Sequence, residues 1–396
     1  MNTDSIIILL SVLILVAYLF ELTYKVIRIP SIMVLIFSGI VIQWLVRNYL
    51  HFKNIPDVQY LLKLFGTIGL VLIVFEGTLE LKISKNNLAS IGKIFLFSVF
   101  EVVLIMLLCA GYIVIQKQFD WHTALLNVIP FSIISSAIAI PTASVLSSSK
   151  KQFVIYESSF SDIMGILMFN FFFINESINI SAISTFSLQM ILLIIISVVA
   201  SIILAMILSR MKHKIKFIPI ITMMLFLYSL LHFYHLPSLL FILIFGLTLS
   251  NFDWIKNLHQ LGFLKLKGLE KEIHQIDEII AELSFAIKSI FFLLFGFSLN
   301  IQNLWNLQDF SWALLIVGLA LIVRYILLYL FRFSFDEILF IFPRGLITVL
   351  LFYLIPENKR LIYFNDTVLT HIIFISLILL VFNNLIYRTK IELSEI

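Results

Sequence analysis

Apolar residues fill this chain in blocks of roughly twenty, separated by short clusters rich in Lys, Arg, Asn and Pro, a spacing that predicts membrane-length helices joined by brief connections. A hydrocarbon core about 30 Å thick takes roughly 20 helical residues to cross. Thirteen such spans are predicted, near residues 5–27, 31–47, 58–79, 91–116, 122–147, 154–176, 186–209, 216–233, 236–253, 272–299, 309–332, 335–355 and 366–387. The first is preceded by Asp4 in place of a basic segment and is followed by no small-residue cleavage site, so it reads as a retained span. The polar stretch GLEKEIHQIDEIIAE, residues 268 to 282, reads as the solvated start of the tenth helix.

Composition sharpens this picture. Hydrophobic residues make up 61% of the chain and charged residues 13%, and the mean hydropathy is +1.09, which leaves no room for a separate soluble domain. An all-α, multi-pass protein is expected, with residues 1–396 forming one transmembrane domain. Eighteen Lys and Arg fall at or near odd-numbered connections and the C-terminus, against five at even-numbered ones. The positive-inside rule therefore places the N-terminus outside and the C-terminus in the cytoplasm of a cell membrane. The net charge of +4 comes from that basic inner surface, and no clustered patch suggests nucleic acid. Cys109 is the one cysteine, which excludes an intrachain disulfide.

Four basic residues, Lys63, Lys288, Arg324 and Arg344, fall inside predicted spans, as do the acids Glu76, Glu101, Glu157 and Asp162. Ionisable groups at membrane depth are costly, and each is a candidate for function by default. Lys63 is placed to reach the interface; Lys288 suits either a charge partner in the cavity or a polar cytoplasmic funnel, and Glu76 and Glu80 suit the funnel. The segment YESSFSDIMG, residues 156 to 165, puts two acids on one helix. At about 100° per residue, Glu157 and Asp162 point roughly 140° apart, so they serve different neighbours. A carboxylate facing a basic helix forms a packing ion pair, and one facing a polar cavity is an ion or proton site.

Two spans carry internal breakers. AIAIPTASVLSSS, residues 137 to 149, contains Pro141, whose missing N–H predicts a disrupted helix with Thr142, Ser144 and Ser147 satisfying freed groups. IFPRGLITV, residues 341 to 349, places Pro343 and Gly345 about Arg344 in the twelfth span. Seven spans separate the two, and an odd offset reverses direction across the membrane. Paired broken helices in inverted halves point to a transporter site near the bilayer midplane.

These residues carry a family resemblance. The segments IRIPSIMVLIFSGIVI (27 to 42), GLVLIVFEGTLEL (69 to 81), AIPTASVL, ESSFSD, SIFFLLFGFSL (289 to 299), LIVRYILLYLF (321 to 331) and PRGLI (343 to 347) occur in order over most of the chain. Together they resemble the monovalent cation/proton antiporters, in the sodium/proton exchanger branch. The resemblance implies that Asp162 binds either the cation, Na⁺ or Li⁺, or a proton. It puts Ser161, expected to lend oxygen to the cation, where many members have Asn, pairs Glu157 with Arg324, and makes Arg344 the Arg of the second broken helix. Thr142 and Ser144 would lie in the first broken helix and lend oxygen atoms, with Ile140 where the family has Asp before Pro141. It further implies a homodimer. One cavity carboxylate with a neutral neighbour offers a single exchangeable charge, so exchange of one cation for one proton is expected, with no cofactor beyond the transported ions. K⁺/H⁺ exchange and a non-transporting membrane sensor are the alternatives. A membrane-embedded transferase is disfavoured, because the only close histidine pair, His232 and His235, is an interfacial turn. With no Gly-rich phosphate loop, so is an ATP-driven pump.

Overall fold

The computed structural model describes residues 11–12, 14–15, 17–19, 30–48, 58–79, 81, 88–143, 146–210, 217–234, 236–251, 269–299, 305–335 and 337–394. Thirteen helices are laid out along these residues, with no strand among them. They are α1 (Ser31–Asn48), α2 (Val58–Leu79), α3 (Leu88–Lys117), α4 (Trp121–Ser132), α5 (Ser136–Thr142), α6 (Ser148–Ile174), α7 (Ile180–Arg210), α8 (Phe217–Phe233), α9 (Ser238–Ser250), α10 (Leu269–Ser298), α11 (Leu307–Leu330), α12 (Leu346–Leu354) and α13 (Asp366–Ser394). The described residues between 11 and 19 are helical too. The rest of the first predicted span, and Ser144, lie outside the described residues.

Among the described residues eight segments are long and apolar enough to cross a membrane, α4 and α5 counting as one; α1, α8 and α9 are shorter apolar helices. In lipid a helix satisfies its own backbone, so polar help is needed only at ends and breaks. At several ends side chains supply it: the Asp120 carboxylate accepts from the Thr123 N–H at 2.8 Å to start α4, Asn179 from Ala182 at 2.7 Å to start α7, Asn306 from Gln308 at 3.0 Å to start α11, and Asn365 from Val368 at 2.9 Å to start α13.

The chain divides into two compact units. One comprises residues 1–70, 93–165 and 285–396; the other comprises 71–92 and 166–284. In the first, α1 and α10 meet backbone to backbone. A side chain at Gly39 would collide with the Leu293 carbonyl, and one at Gly296 with that of Ile36, a small-residue contact of the kind that joins helices in lipid. In the same unit α11 packs along α13 and α4 along α12, and Phe131 sits against Phe352 and Phe364 with ring centroids 5.9 and 5.3 Å away. In the second unit α9 packs on α7 and α8. Phe75, Phe245 and Phe241 form a stack there, and Asn251 donates to the Leu81 carbonyl at 2.9 Å.

Two predicted spans are interrupted, and the first breaks at an unexpected place. α4 ends at Ser132, Ile133 and Ser135 are extended, and α5 starts at Ser136. Pro141 was the expected breaker, yet it lies inside α5, and Pro130 lies inside α4. Each proline forfeits one N–H, which a helix tolerates when its neighbours pack well; the helix opens where consecutive amides find other partners. Ile140 and Pro141 are thus more than a turn past the opening, and the residues standing at it are Ile134, Ser135 and Ser136. In the second interrupted span residues 341–345 are not helical, and only Leu346–Leu354 continues as α12.

Candidate ion site at the crossing of two broken helices

Three consecutive amides are released by the first break, and each has its own acceptor. Ile134 N–H donates to the Ser161 hydroxyl at 2.9 Å, Ser135 N–H to the Pro343 carbonyl at 2.8 Å, and Ser136 N–H to Asp162 Oδ2 at 3.4 Å. The unwound strand is therefore clamped by α6 on one side and by the second unwound segment on the other. The amides that a buried break releases are thereby satisfied. The crossing depends on a glycine. A Cβ at Gly345 would meet the Ser135 hydroxyl oxygen and the end of Ile138. Gly165 on α6 likewise leaves room for the Ile133 side chain.

Asp162 is 7% exposed. Ser136 reaches its carboxylate with both N–H and hydroxyl, while Oδ1 has no hydrogen-bond partner among the described residues. The Ser135 hydroxyl, next to Ser136, shares that state, as does the Thr348 hydroxyl in the first turn of α12: both are buried and without partners among the described residues. No basic side chain is bonded to Asp162 there. A buried carboxylate with a free oxygen, flanked by hydroxyls and by the open end of α4, can take a proton or a small cation.

The other acid of α6 serves a different purpose. Glu157 and Arg324 are both fully buried, and Arg324 grips Glu157 through both carboxylate oxygens. Arg324 also donates to Glu101 Oε1 at 2.9 Å and, from Nε and Nη2, to the Ile338 carbonyl. The Ser98 hydroxyl adds a bond to the Glu157 carbonyl at 3.1 Å. One guanidinium so ties α3, α6 and α11 to the turn that leads into the second broken segment.

The remaining candidates fall in several places. Arg344 is buried in the extended segment, and its N–H donates to the Ser376 hydroxyl of α13 at 3.0 Å. Thr142 stands six residues beyond Ser136, about 9 Å along the helix axis, and its hydroxyl donates to the Ile138 carbonyl at 2.7 Å. It is not brought to Asp162. Ser135, Ser136 and Thr348, which are at the crossing, were not among the sequence candidates. The pair of serines in the apolar run SIISS was the available signal. Glu101 was noticed as an acid at membrane depth, but nothing local linked it to Arg324.

Comparison with known proteins follows from this geometry. The model of the family described as sodium/hydrogen exchanger, transmembrane, matches residues 10–387. Two structures of the sodium proton antiporter MjNhaP1 from Methanocaldococcus jannaschii share the fold at 16% sequence identity. One, at pH 8, gives a TM-score of 0.70 over 97% of this chain and 96% of that one. The other, an electron-microscopy map, gives 0.69 over 100% and 98%. No curated protein sequence matches significantly.

Proposed function

The chain belongs to the sodium/hydrogen exchanger family, and from that premise we propose that it exchanges Na⁺ or Li⁺ for H⁺ across a cell membrane, with Asp162 holding either ion in turn. The observation that carries this reading is the free Oδ1 of a buried carboxylate at the crossing of two helix breaks. An ionised Asp162 left there alone is costly. A proton removes the charge, and a cation balances it.

The cation would be held by Asp162, the Ser135 and Ser136 hydroxyls, and carbonyls freed where α4 ends. Ser161 acts one step away, because its oxygen fixes the Ile134 N–H. Ser161, Thr142 and Ser144 were the expected oxygen donors beside Asp162 on sequence grounds; Thr142 stands farther along α5, and the hydroxyls of Ser135 and Ser136 take its place. Cation and proton compete for one carboxylate, so each transport cycle moves one of each and no net charge. A conformational change that opens the crossing alternately to the two sides completes the cycle. The N-terminus outside, the C-terminus in the cytoplasm and a homodimeric assembly belong to the same proposal.

The test is proton movement in proteoliposomes under an imposed pH gradient, adding Na⁺, Li⁺ or K⁺ in turn, with Asp162→Asn as control. Dissipation by Na⁺ or Li⁺ that is lost in the variant supports the proposal. Dissipation that persists in the variant removes Asp162 from the mechanism, and a response to K⁺ alone moves the assignment to K⁺/H⁺ exchange.

A further inference from the structure

Buried hydroxyls on these helices commonly bond to their own backbone. Thr142, Ser158 and Ser201 each donate to the carbonyl four residues back, at 2.7, 2.7 and 2.8 Å, and Thr248 and Ser289 do the same. Such a bond lowers the cost of holding a polar group in an apolar interior. Ser159 on α6 departs from the pattern. It is 4% exposed, and its hydroxyl has no hydrogen-bond partner among the described residues. The Ile155 carbonyl, four residues back, takes a bond at 3.3 Å from Ser158 instead.

Helix geometry says what lies within reach of that hydroxyl. Ser159 precedes Asp162 by three residues, about 60° round the helix and about 4.5 Å along it, a register in which side chains are neighbours. Side chains on a helix lean toward its N-terminus, so the Asp162 carboxylate is carried over the turn that holds Ser159. Ser161 lies about 100° to the other side of Asp162, with its oxygen fixed on the Ile134 N–H. Ser159 also points roughly 160° away from Glu157, whose two oxygens are engaged by Arg324. The free Oδ1 of Asp162 and the free hydroxyl of Ser159 therefore share one face of α6.

An unpartnered buried hydroxyl costs stability that alanine at the same position would recover. A group held at that cost suits a ligand that comes and goes. With a proton on Asp162 the Ser159 oxygen has no charge to face, and with a small cation on Oδ1 it has one. We propose that Ser159 is a further cation-binding residue: its hydroxyl oxygen joins the Asp162 carboxylate in holding the transported ion, on the opposite side of that carboxylate from Ser161. The assignment deepens the antiport reading above and rests on it for the identity of the ion.

The experiment uses the purified full-length protein as wild type, Ser159→Ala, Ser159→Thr and, as a control whose hydroxyl is engaged by its own helix, Ser201→Ala. Thermal unfolding in detergent is followed first without Na⁺, Li⁺ or K⁺ and then with each added, and the rise in unfolding temperature gives an apparent Kd. Proteoliposomes give kcat and KM for cation-driven proton movement. Ser159→Ala should unfold no lower than wild type in the absence of these cations, yet bind Na⁺ or Li⁺ about tenfold more weakly, the scale of one lost oxygen contact to a charge. Its KM should rise by the same factor with kcat unchanged. Ser159→Thr, which keeps the hydroxyl, and Ser201→Ala should retain the wild-type Kd. Unchanged Kd and KM in Ser159→Ala, while the wild type binds and exchanges cations, would overturn the assignment and leave the antiport reading standing. So would a lower cation-free unfolding temperature, which would make the hydroxyl a part of the fold, or an equal loss of affinity in Ser159→Thr or Ser201→Ala, which would separate the loss from this hydroxyl. A wild type that none of the three cations stabilises or drives would overturn the antiport reading and this assignment with it.

Discussion

The Ser135 N–H donates to the Pro343 carbonyl at 2.8 Å, joining the two helix breaks directly to one another. Each break supplies what the other lacks: the first has amides without helical acceptors, and the second has carbonyls without helical donors. Because Ser136 follows at once and reaches Asp162, the geometry at the candidate ion site is set by contacts between segments far apart in the chain.

Gly345 is the residue on which that approach depends. Gly345→Ala places a methyl group against the Ser135 oxygen and Ile138, so exchange activity in proteoliposomes should fall by at least about tenfold, equivalent to 1.4 kcal/mol, while the protein still folds. Adding Ile138→Val, which removes the terminal methyl that a side chain at 345 would meet, should restore part of the loss. Wild-type activity in Gly345→Ala would contradict the close approach.

Ser161→Ala removes the acceptor of the buried Ile134 N–H. An unsatisfied buried donor costs about 1–3 kcal/mol, so the melting temperature in detergent should drop. Ser161→Asn, which keeps an acceptor, should lose less. Equal melting temperatures for the alanine variant and the wild type would remove the clamp.

Arg324 carries more. Arg324→Ala strands two buried carboxylates and frees the Ile338 carbonyl, and breaking a buried pair costs about 3–5 kcal/mol. Folded yield should collapse. Arg324→Lys should recover little of it, since an ammonium cannot span both Glu157 oxygens, Glu101 and Ile338 together. Size-exclusion profiles and thermal unfolding of the purified variants measure both.

Asp120 gives a prediction at the membrane edge. Partial burial pushes its carboxyl up, but hydrogen bonds from Thr123, with His122 beside it, bring it below its ordinary value. A lowered carboxyl contributes stability above the normal aspartate range and loses it as pH falls through the lowered value. Asp120→Ala should therefore destabilise α4 at neutral pH, by about 0.5–2 kcal/mol for a lost cap, and the gap to wild type should close in strong acid. An unchanged gap across that range would show that the carboxylate is not the cap.

Much of the fold was legible in the sequence because lipid enforces a simple rule, and apolar blocks of spanning length are hard to read any other way. The helical angle between Glu157 and Asp162 also said that they face different neighbours, as they do: one meets Arg324 and the other Ser136. The place of the first break was not legible. Pro130 and Pro141 advertise breaks and make none, whereas the helix opens before Ser136 because Ser161, Pro343 and Asp162 accept from the amides of Ile134, Ser135 and Ser136. Those partners are supplied by tertiary structure. The same holds for Glu101, whose place beside Arg324 joins two helices that no local pattern connects.

The charge balance at Asp162 predicts the electrical behaviour. With one carboxylate shared between one cation and one proton, an imposed membrane potential without a pH gradient should drive no cation movement into proteoliposomes. Potential-driven uptake would mean that the cycle carries net charge.

The most direct measurement is proton release when Na⁺ or Li⁺ is added to purified, weakly buffered protein that starts with Asp162 protonated. The account predicts release approaching one proton per cation bound, and neither binding nor release in Asp162→Asn. Cation binding without proton release in the wild type, or the same release from the variant, would contradict the claim that cation and proton share this carboxylate.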